Sequence, residues 1–154
     1  SRRFAKKQLG GSNRNKARTR LAKLELKIAN QRKDLLHKFT TKLINENQVI
    51  GIEDLNVTGL LRNHKLAKRI QDCGWGMIKE QLLYKSVKFK TPVTITMVDR
   101  FYPSTQTCSV CGNKRKVNLT LRERSWKCDH CGAEHDRDLN AAMNILMEAK
   151  RLTV

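Results

Sequence analysis

The sequence has no run of apolar residues that approaches the roughly 18 needed to cross a membrane. Its first residues, 1–7, also lack the apolar core of a secretory signal peptide. Acidic residues are scarce, with 14 Asp and Glu against 32 Lys and Arg, which gives a net charge of +18. The first two absences argue against membrane insertion and secretion. The shortage of acids indicates a polyanionic partner, because so one-sided a charge repels itself unless a polyanion lies along it.

The length and composition predict one ordinary domain with a small appendage, since 154 residues with 39% hydrophobic side chains can bury a real core. The chain does not begin with Met, which predicts a fragment or a processed piece. Positive charge is concentrated at the front, where residues 1–46 hold 14 Lys and Arg against three acids. Nucleic acid is the expected partner, and an anionic membrane is the weaker alternative because no apolar anchor accompanies the charge.

Residues 14–44 are predicted to form one long helix, because the segment has no Gly or Pro and apolar residues recur every three or four positions. Residues 1–13 look irregular, with Ser12 or Asn13 as the expected cap of the helix. The apolar stripe predicts packing on a sheet or a neighbouring helix, with a coiled-coil dimer as the alternative. The stripe comprises Ala17, Leu21, Leu24, Ile28, Gln31, Leu35, Leu36, Phe39, Leu43 and Ile44.

The opposite face of this long helix is basic and is the first candidate nucleic-acid-binding surface. Such a face can follow a phosphate backbone, although a merely solvated surface is the alternative. Its residues are Arg14, Lys16, Arg18, Arg20, Lys23 and Lys27.

The remaining elements predict an α/β fold. A short apolar run indicates a buried strand at 48–53, and a turn over 55–59 leads to helices over 66–89, interrupted at 73–76. Alternation after a proline indicates a second strand at 93–98. The last helix has one apolar face, made of Leu139, Ala142, Met143, Ile145, Leu146 and Ala149.

Two Cys-x-x-Cys pairs, Cys108 with Cys111 and Cys128 with Cys131, predict a zinc ribbon. A glycine follows each pair, where a backbone without Cβ lets amides turn toward the sulfurs. Four thiolates leave no open position for a catalytic water, so the zinc is predicted to be structural. The fifth cysteine, Cys73, has no partner nearby in sequence, and this usage fits a reducing, cytoplasmic location better than a disulfide framework.

Cations surround a tryptophan between the cysteine pairs, a combination that could contact phosphates or stack on a base. A short hairpin with a solvated surface is the alternative. The candidate nucleic-acid-binding residues here are Lys114, Arg115, Lys116, Arg122, Arg124, Trp126 and Lys127.

Two acids lie at the edges of predicted elements, one at the end of a strand and one before the start of a helix. Glu53 follows four apolar residues and should lie at the carboxyl end of a buried strand, where an unpaired carboxylate is costly and where α/β sheets bind ligands. It could coordinate a cation, accept hydrogen bonds from loop amides, or reach solvent. Asp138 precedes the last helix, where capping is the alternative role, which Asp136 could share. Together, Glu53 and Asp138 resemble the carboxylates that hold two Mg²⁺ ions for attack on a phosphodiester.

Four motifs occur in one order: IEDLNV at 52–57, CSVCG at 108–112, CDHCG at 128–132 and DRDLNAAMNI at 136–145. In combination they resemble the C-terminal half of the OrfB/TnpB proteins of insertion sequences, which are RNA-guided nucleases related to type V CRISPR effectors. The resemblance covers essentially the whole chain. It implies an α/β fold of the RNase H-like (RuvC) type, partial here, with a long N-terminal basic helix and an inserted four-cysteine zinc ribbon.

The resemblance also implies domain boundaries and a catalytic site. The nuclease domain would occupy 1–103 and 134–154, with the ribbon at 104–133. The second and third acids of a catalytic trio would be Glu53 and Asp138. Nothing before the long helix matches the first acid, an Asp that the family places in a Gly-Ile-Asp motif on an earlier strand. The chain is therefore expected to hold two of three ligands for magnesium and to be inactive alone.

The function implied by the resemblance is part of an RNA-guided, Mg²⁺-dependent DNA endonuclease of an insertion sequence. DNA and guide RNA would be the partners, together with the missing N-terminal half or a second copy. Arg137 would approach the scissile phosphate or pair with the aspartates beside it. The rival is a nucleic-acid-binding module without catalysis, and a third alternative is a ribosomal or transcription-type zinc ribbon.

Overall fold

The computed structural model describes residues 2–88, 93–115, 119–120 and 122–153. In these ranges six helices and four strands are seen, and the predicted mixture of helix and sheet is confirmed. In chain order the elements are α1 (Arg2–Ala5), α2 (Ser12–Glu46), β1 (Val49–Glu53), α3 (Val57–Leu61), α4 (Ala67–Cys73), α5 (Trp75–Lys88), β2 (Thr94–Val98), β3 (Ser125–Lys127), β4 (Glu134–Asp136) and α6 (Arg137–Thr153).

β1 and β2 form a parallel pair, in register from Val49 opposite Thr94 to Glu53 opposite Val98. Helices α3 to α5 connect them, as a parallel pair requires a crossover. Both strands match the predicted positions, and so does the break between α4 and α5. Short helix α3 replaces the predicted turn. The predicted end of α5 at Phe89 and the proline before β2 lie outside the described residues.

Helix α6 packs directly on β1 at Gly51. A Cβ atom on Gly51 would lie 2.7 Å from the Ala149 Cβ and 3.0 Å from the Ile145 carbonyl oxygen, so a larger residue would push the two elements apart. Glycine therefore permits the close approach of strand and helix. One turn further along the helix, the Thr153 and Thr96 hydroxyl groups share a hydrogen bond of 2.8 Å.

The core lies where the C-terminal part of α2 meets α5 and the sheet. Ile44 on α2, Leu82 on α5 and Val93 before β2 are almost fully buried together. Leu36 and Thr40 continue the buried face of α2, because residues four apart lie one above the other on a helix. This part of the predicted apolar stripe packs against a neighbouring helix as expected.

A buried lysine joins the same two helices. The Lys85 Nζ on α5 donates hydrogen bonds to the His37 carbonyl oxygen (2.7 Å) and to the Thr40 and Thr41 hydroxyl oxygens (2.8 and 2.7 Å) on α2. Burial lowers the pKa of Lys85. Three acceptors match the three donors of the ammonium group, so the charge is tolerated without a carboxylate.

The N-terminal part of α2 is exposed. Leu24, Ile28 and Leu35 retain 54%, 54% and 65% of their accessible surface. The prediction that the whole apolar stripe packs is wrong here, because the described residues bury none of these positions. None of the described helices, α2 included, has the length and apolar character of a membrane span.

The start of α2 also differs from the expectation. The helix already includes Ser12, and extended Gly11 is the N-cap without a side-chain hydrogen bond. The predicted capping by Ser12 or Asn13 is therefore wrong. Part of the segment expected to be irregular forms the short helix α1.

The buried face of α6 includes only part of its predicted apolar face. Asn140, Asn144 and Ala149 are its buried residues, whereas Leu139 and Met143 stay 58% and 48% exposed. Ile145 and Ala149 pack on β1 as the apolar pattern predicts, whereas Asn140 and Asn144 take other buried positions, where they donate to the Ser104 and Thr107 carbonyl oxygens.

The ribbon is held by a small hairpin. β3 and β4 pair antiparallel, with Trp126 opposite His135, so the hairpin extends to Asp136, past the predicted ribbon end at 133. An isolated antiparallel bridge between Thr107 and Lys114 encloses the first cysteine pair, Cys108 and Cys111. The core of the ribbon comprises Cys108, Trp126, Cys128 and Leu119.

Candidate functional site

The four cysteines of the two Cys-x-x-Cys pairs form one cluster. Their Sγ atoms all lie within 4.8 Å of one another. The Sγ atoms of Cys108 and Cys131 are 3.7 Å apart, and so are those of Cys111 and Cys128. Sulfurs around a tetrahedral ion at the usual Zn–S distance of about 2.3 Å lie roughly 3.8 Å apart. The cluster therefore has the size that one such ion needs.

Each cysteine pair closes a tight turn that ends in a glycine. Gly112 and Gly132 have φ angles of 73° and 74°, a conformation that favours glycine. The Gly112 N–H donates to the Cys108 carbonyl oxygen (2.8 Å), and the Gly132 N–H donates to that of Cys128 (2.9 Å). The two knuckles thus have the same backbone geometry, as their matching sequences predict.

The thiols of the cluster have unequal pKa values. The backbone N–H groups of Cys131 and His130 lower the pKa of Cys128 to about 6. The Asn113 backbone N–H lowers the pKa of Cys111, but burial and the other three sulfurs outweigh it and raise that pKa to about 12. A divalent cation favours thiolate at every position, so metal binding to this cluster is expected to release protons.

Two rings support the cluster from behind. The Trp126 ring is buried, and its centroid lies 4.6 Å from that of His135. The His135 Nε2 is 3.1 Å from the Cys108 Sγ, and the Arg115 guanidinium lies over the indole at 5.1 Å. The predicted role of Trp126 in stacking on a base is wrong, because the ribbon core covers its ring.

Glu53 ends β1 as a half-buried carboxylate. Burial raises its pKa above the ordinary 4.5. Within the described residues, no cation or hydrogen-bond donor pairs with it. The side chain borders an apolar pocket that Ile52, Ile78 and Trp75 also line. Because a half-buried charge without a partner is costly, a bound cation would stabilise this position.

The neighbouring acid, Asp54, is already neutralised. The Lys79 Nζ donates to its Oδ1 (2.9 Å), and the Arg100 guanidinium donates to its Oδ2 (3.3 Å). These cations, Lys79 foremost, lower the pKa of Asp54. Its backbone N–H extends the sheet by donating to the Val98 carbonyl oxygen at 2.8 Å. Of the two adjacent acids, Glu53 is the one left for a ligand.

Asp136 and Asp138 divide the roles that the sequence left open. The Asp136 Oδ1 accepts the backbone N–H groups of Asp138 and Leu139, both at 2.9 Å, so Asp136 is the cap of α6. Asp138 lies in the first turn with its side chain 67% exposed. Its carboxylate accepts hydrogen bonds from Arg124 and Arg137, each at 3.2 Å. Asp138 is therefore held by arginines rather than used for capping.

Glu53 and Asp138 lie at the same end of the sheet. Because β1 and β2 are parallel, Glu53 and Val98 mark one carboxyl edge, from which the chain continues toward the ribbon. The side chains of Asn140 and Asn144 donate to the Ser104 carbonyl oxygen just beyond that edge. The N-terminal end of α6 therefore lies beyond the same edge. Within the described residues, no third acid forms a cluster with these two.

Four cations follow one face of α2. Lys16, Arg20, Lys23 and Lys27 are spaced by four, three and four residues, which places them on one side of a helix. All four are exposed. Within the described residues, none pairs with a carboxylate. This face can follow a phosphate backbone, and nucleic-acid binding by it stays a prediction.

The other two predicted cations of α2 lie off this face. Arg14 donates to the Lys7 carbonyl oxygen (2.7 Å) and lies over the Phe4 ring at 4.6 Å, so it fastens α1 to α2. Arg18 is exposed on the far side of the apolar stripe. The helix therefore brings together four of the six predicted cations.

The predicted ribbon cations also divide by burial. Arg115 lies against Trp126, and Arg137 donates to the carbonyl oxygens of Thr120 (3.4 Å) and Glu123 (3.3 Å) as well as to Asp138. Lys116 lies outside the described residues. The exposed cations are Lys114, Arg122, Arg124 and Lys127.

Sequence reasoning missed two buried asparagines on α6. Asn140 and Asn144 are 1% and 3% exposed. Both donate to the Thr107 carbonyl oxygen, at 2.8 and 2.6 Å. Their spacing of four residues was a usable signal, because two polar side chains above one another on a helix predict a shared partner.

Two family models match the chain. Residues 1–64 match the model of OrfB_IS605, described as a probable transposase, and residues 75–145 match the model of a Cas12f1-like TNB domain. A protein of Streptomyces pristinaespiralis named "Putative RNA-guided DNA endonuclease" is 44% identical over 92% of this chain. The CRISPR-associated endodeoxyribonuclease Cas12f1 of Sulfoacidibacillus thermotolerans is 28% identical over 88% of it. The chain spans about a third of these relatives, 34% and 32% of their lengths.

The fold resembles part of a solved structure. A chain in the cryo-EM structure of the Cas12f1-sgRNA-target DNA complex superposes with a TM-score of 0.59. The match covers 84% of this chain and 39% of that one, at 21% sequence identity. At this identity the likeness extends to the fold, and the site must be argued from its own residues.

Proposed function

We propose, since the chain belongs to the OrfB/TnpB family, that it is part of an RNA-guided DNA endonuclease with a RuvC-type site. In this proposal it supplies a zinc ribbon, two carboxylates of a magnesium site and a basic helix for nucleic acid. DNA and a guide RNA are the proposed partners. The observation that carries the catalytic part is the half-buried Glu53 carboxylate at the carboxyl edge of β1, which has no cationic partner among the described residues.

The ribbon is proposed to hold one structural zinc ion through Cys108, Cys111, Cys128 and Cys131. Sulfur separations of 3.7 Å support a tetrahedral ion of this size. Thiolates bind zinc in preference to magnesium, and carboxylates suit magnesium, so each metal would bind at its own site. With four protein ligands the zinc would have no catalytic role, and its contribution would be to the fold of the ribbon.

Glu53 and Asp138 are proposed to hold magnesium for phosphodiester hydrolysis. Magnesium bound by carboxylates supplies a polarised water and neutralises charge on the phosphate. Glu53 would provide a ligand on a rigid strand, with a raised pKa that a cation would reverse. Asp138 would exchange its bonds to Arg124 and Arg137 for the metal, which would leave the exposed Arg124 guanidinium available to the phosphate.

The first acid of the site is proposed to come from a strand outside this chain that pairs with β1. Within the described residues, β1 has a strand on one side only. Parallel sheets are usually larger and covered on both faces, so the second edge of β1 can accept another parallel strand. An Asp at the carboxyl end of that strand would lie next to Glu53. This chain by itself is not expected to cleave DNA.

The catalytic proposal is tested by reconstitution with the upstream part of the protein and its guide RNA. Cleavage of matching DNA in Mg²⁺ is expected, and Glu53→Gln or Asp138→Asn should lower it by roughly a hundredfold or more, since each removes a metal ligand. Asp34→Asn, which removes an exposed acid from α2, is the matched control and should leave cleavage unchanged. Retention of cleavage in both site variants would disprove the assignment.

The binding proposal is tested by the salt dependence of affinity for single-stranded DNA. Replacing Lys16, Arg20, Lys23 and Lys27 together by Gln should weaken binding and reduce the salt slope by about three, since each phosphate contact contributes roughly 0.7 on a single strand. The control replaces four exposed cations of the α3–α4 region, Arg62, Lys65, Lys68 and Arg69. An equal loss in both variants would mean that net charge, rather than this face of α2, holds the strand.

A non-catalytic binding module is the alternative that the exposed basic face of α2 favours. It predicts full nucleic-acid binding and no cleavage even with the upstream part present. A ribbon that carries all of the binding, the third possibility, predicts that deletion of residues 104–133 abolishes it. Substantial residual binding with a steep salt dependence is what the proposed role of α2 requires.

A further inference from the structure

Buried asparagines attach the first cysteine pair to the start of α6. The Asn140 side chain donates to the Thr107 carbonyl oxygen (2.8 Å) and accepts the Ser109 backbone N–H (2.9 Å). The Asn144 side chain donates to the carbonyl oxygens of Thr107 (2.6 Å) and Ser104 (2.8 Å). These bonds hold the backbone on both sides of the first cysteine against the helix.

A buried histidine makes a second attachment to the same knuckle. The His135 Nε2 lies 3.1 Å from the Cys108 Sγ, and both residues are buried. Contact with the Trp126 ring, at a centroid distance of 4.6 Å, fixes the imidazole plane. As an N–H donor, Nε2 would stabilise the thiolate form of Cys108, which a metal ligand must adopt.

Asp138 lies between these two attachment points. His135 precedes it by three residues, and Asn140 follows it by two. The intervening Asp136 caps the helix and so fixes the backbone N–H of Asp138. The Asp138 carboxylate is 67% exposed and is paired with Arg124, which is 69% exposed, and with Arg137, which is 14% exposed. The backbone that carries Asp138 belongs to a segment that the first knuckle holds at both ends.

We propose that His135, Asn140 and Asn144 are positioning residues that couple metal occupancy of the four-cysteine cluster to the placement of Asp138. We name these three residues the knuckle clasp. The inference rests on the proposed function, because it gives the ribbon metal a role at the carboxylate site. A bound metal would make the two knuckles one rigid unit, and the clasp would extend that rigidity to the first turn of α6.

The coupling has a consequence for both metals. Loss of the ribbon metal would release the segment around Asp138 and weaken divalent-ion binding there without any change in its ligands. Coupling between two sites is reciprocal, so an ion at the carboxylates would also slow loss of the ribbon metal. This gives a physical reason for the position of the ribbon directly before the helix of the last acid.

Hydrogen exchange of the zinc-loaded chain tests the clasp. Removal of zinc with a chelator should raise exchange at amides 137–141 by about tenfold or more, since two or more hydrogen bonds lose their fixed partner. In the double variant Asn140→Ala/Asn144→Ala these amides should exchange fast with or without zinc. Asn30→Ala, an exposed asparagine of α2, is the matched control and should behave as wild type. Unchanged exchange at 137–141 on zinc removal from the wild type would overturn the proposal.

Milder variants keep the test decisive if the double variant loses its zinc. Asn144→Asp keeps the side-chain shape but removes the donor, and it should reduce the effect of zinc on amide exchange at 137–141.

His135→Phe removes the Nε2 donor, whereas His135→Gln can restore an N–H near Cys108. Faster zinc release in His135→Phe, rescued by His135→Gln and absent in the exposed His130→Ala, is expected. Equal release from His135→Phe and His130→Ala would remove His135 from the clasp.

A separate titration distinguishes failure of the clasp from failure of the proposed function. Mn²⁺ should broaden the NMR signals of amides 137–140 in the zinc-loaded chain, and Asp138→Asn should abolish this broadening. If zinc controls exchange but Mn²⁺ broadens nothing, the carboxylate site fails while the physical coupling stands. If Mn²⁺ broadens these signals equally with and without zinc, the clasp is disproved and the carboxylate site stands.

Discussion

The four-cysteine cluster and the two acids at the carboxyl edge of the sheet are both candidate metal sites, but this chain assembles them to different degrees. The cysteine Sγ atoms lie within 4.8 Å of one another, whereas no third acid joins Glu53 and Asp138 among the described residues. The cysteines come from two turns of nearly the same sequence, one between Thr107 and Lys114 and the other in the hairpin of β3 and β4. The acids come from a strand and a helix that meet only through packing. A site built from local turns is complete in a short segment, and a site built on a sheet needs the rest of the sheet.

The largest effect should come from removing a cysteine. Cys128→Ser is expected to lose the bound zinc and unfold the ribbon, because structural zinc supplies on the order of 10 kcal/mol of folding free energy in small modules. Helical circular dichroism from α2 and α5 should persist. In a Trp75→Phe background, emission of the remaining Trp126 should shift to the red as its buried ring becomes exposed.

Cys73→Ser is the control for this comparison. Cys73 is exposed at the end of α4 and lies outside the cluster, so its loss should leave zinc content and fluorescence unchanged. Zinc retention by Cys128→Ser would show that Cys128 is not a required ligand, and a folded ribbon without zinc would show that no bound ion is needed to hold it together.

The next effect concerns the packing that brings the acids to one end of the sheet. Gly51→Ala should lower the free energy of unfolding by about 1 to 3 kcal/mol, the usual cost of overpacking, because the new Cβ would meet Ala149. Denaturant unfolding measures this change. Gly76→Ala on α5, where a Cβ meets nothing within 4 Å, should instead be neutral or slightly stabilising. Equal effects of the two changes would mean that α6 does not sit on β1 as described.

The same contrast explains what the sequence could predict. The zinc spacing, the long helix and both strands depend on patterns a few residues long, and all appear in the structure at nearly the predicted positions. Which face of a helix is buried depends on partners distant in sequence. Apolar residues in the N-terminal part of α2, and Leu139 and Met143 of α6, therefore predicted packing that the described residues do not provide. The buried asparagines of α6 were missed.

The roles of the site residues also depend on partners that the local sequence pattern does not show. The role of Asp136 as a cap was one of two options, and only the hydrogen bonds to its Oδ1 decided between Asp136 and Asp138. The partners of Asp54 come from α5 and from the segment after β2, so the sequence offered no sign that this acid was already neutralised. Trp126 was predicted to take part in stacking on a base because cations surround it in sequence, yet the hairpin buries its ring.

A smaller effect should appear in the pH dependence of stability. Burial raises the pKa of Glu53 in the folded state above its ordinary 4.5, so the charged form destabilises the fold at neutral pH. Protonation removes this penalty as pH falls through the folded-state pKa, and none remains below the unfolded-state value. Glu53→Gln should therefore raise the melting temperature at pH 7, by roughly 1 to 2 °C, and leave it unchanged below about pH 4.

Asp54→Asn is the opposite control, because its cations lower the pKa of Asp54 and its charge is stabilising at neutral pH. Its melting temperature should fall below that of the wild type at pH 7, and the difference should close as pH falls below the ordinary pKa of Asp. Parallel pH profiles for Glu53→Gln and Asp54→Asn would contradict the distinction between an acid left for a ligand and one already paired.

The smallest effect should be at Asp138, whose carboxylate is paired with two arginines. Arg124→Gln removes one of two guanidinium partners from a carboxylate that is 67% exposed, so stability should not change measurably. Binding of Mn²⁺ should tighten about two- to fivefold, the contribution of an exposed ion pair with which the metal no longer competes. Arg122→Gln is the control, because it also removes one positive charge from the ribbon but no hydrogen bond to Asp138. Comparison of the two variants separates the effect of the Arg124–Asp138 ion pair from the effect of net charge. An equal gain in both variants would mean that Asp138 is sensitive to net charge alone. A gain confined to Arg124→Gln would mean that Asp138 can exchange an arginine for a metal, a property that the thiolates of the ribbon do not need.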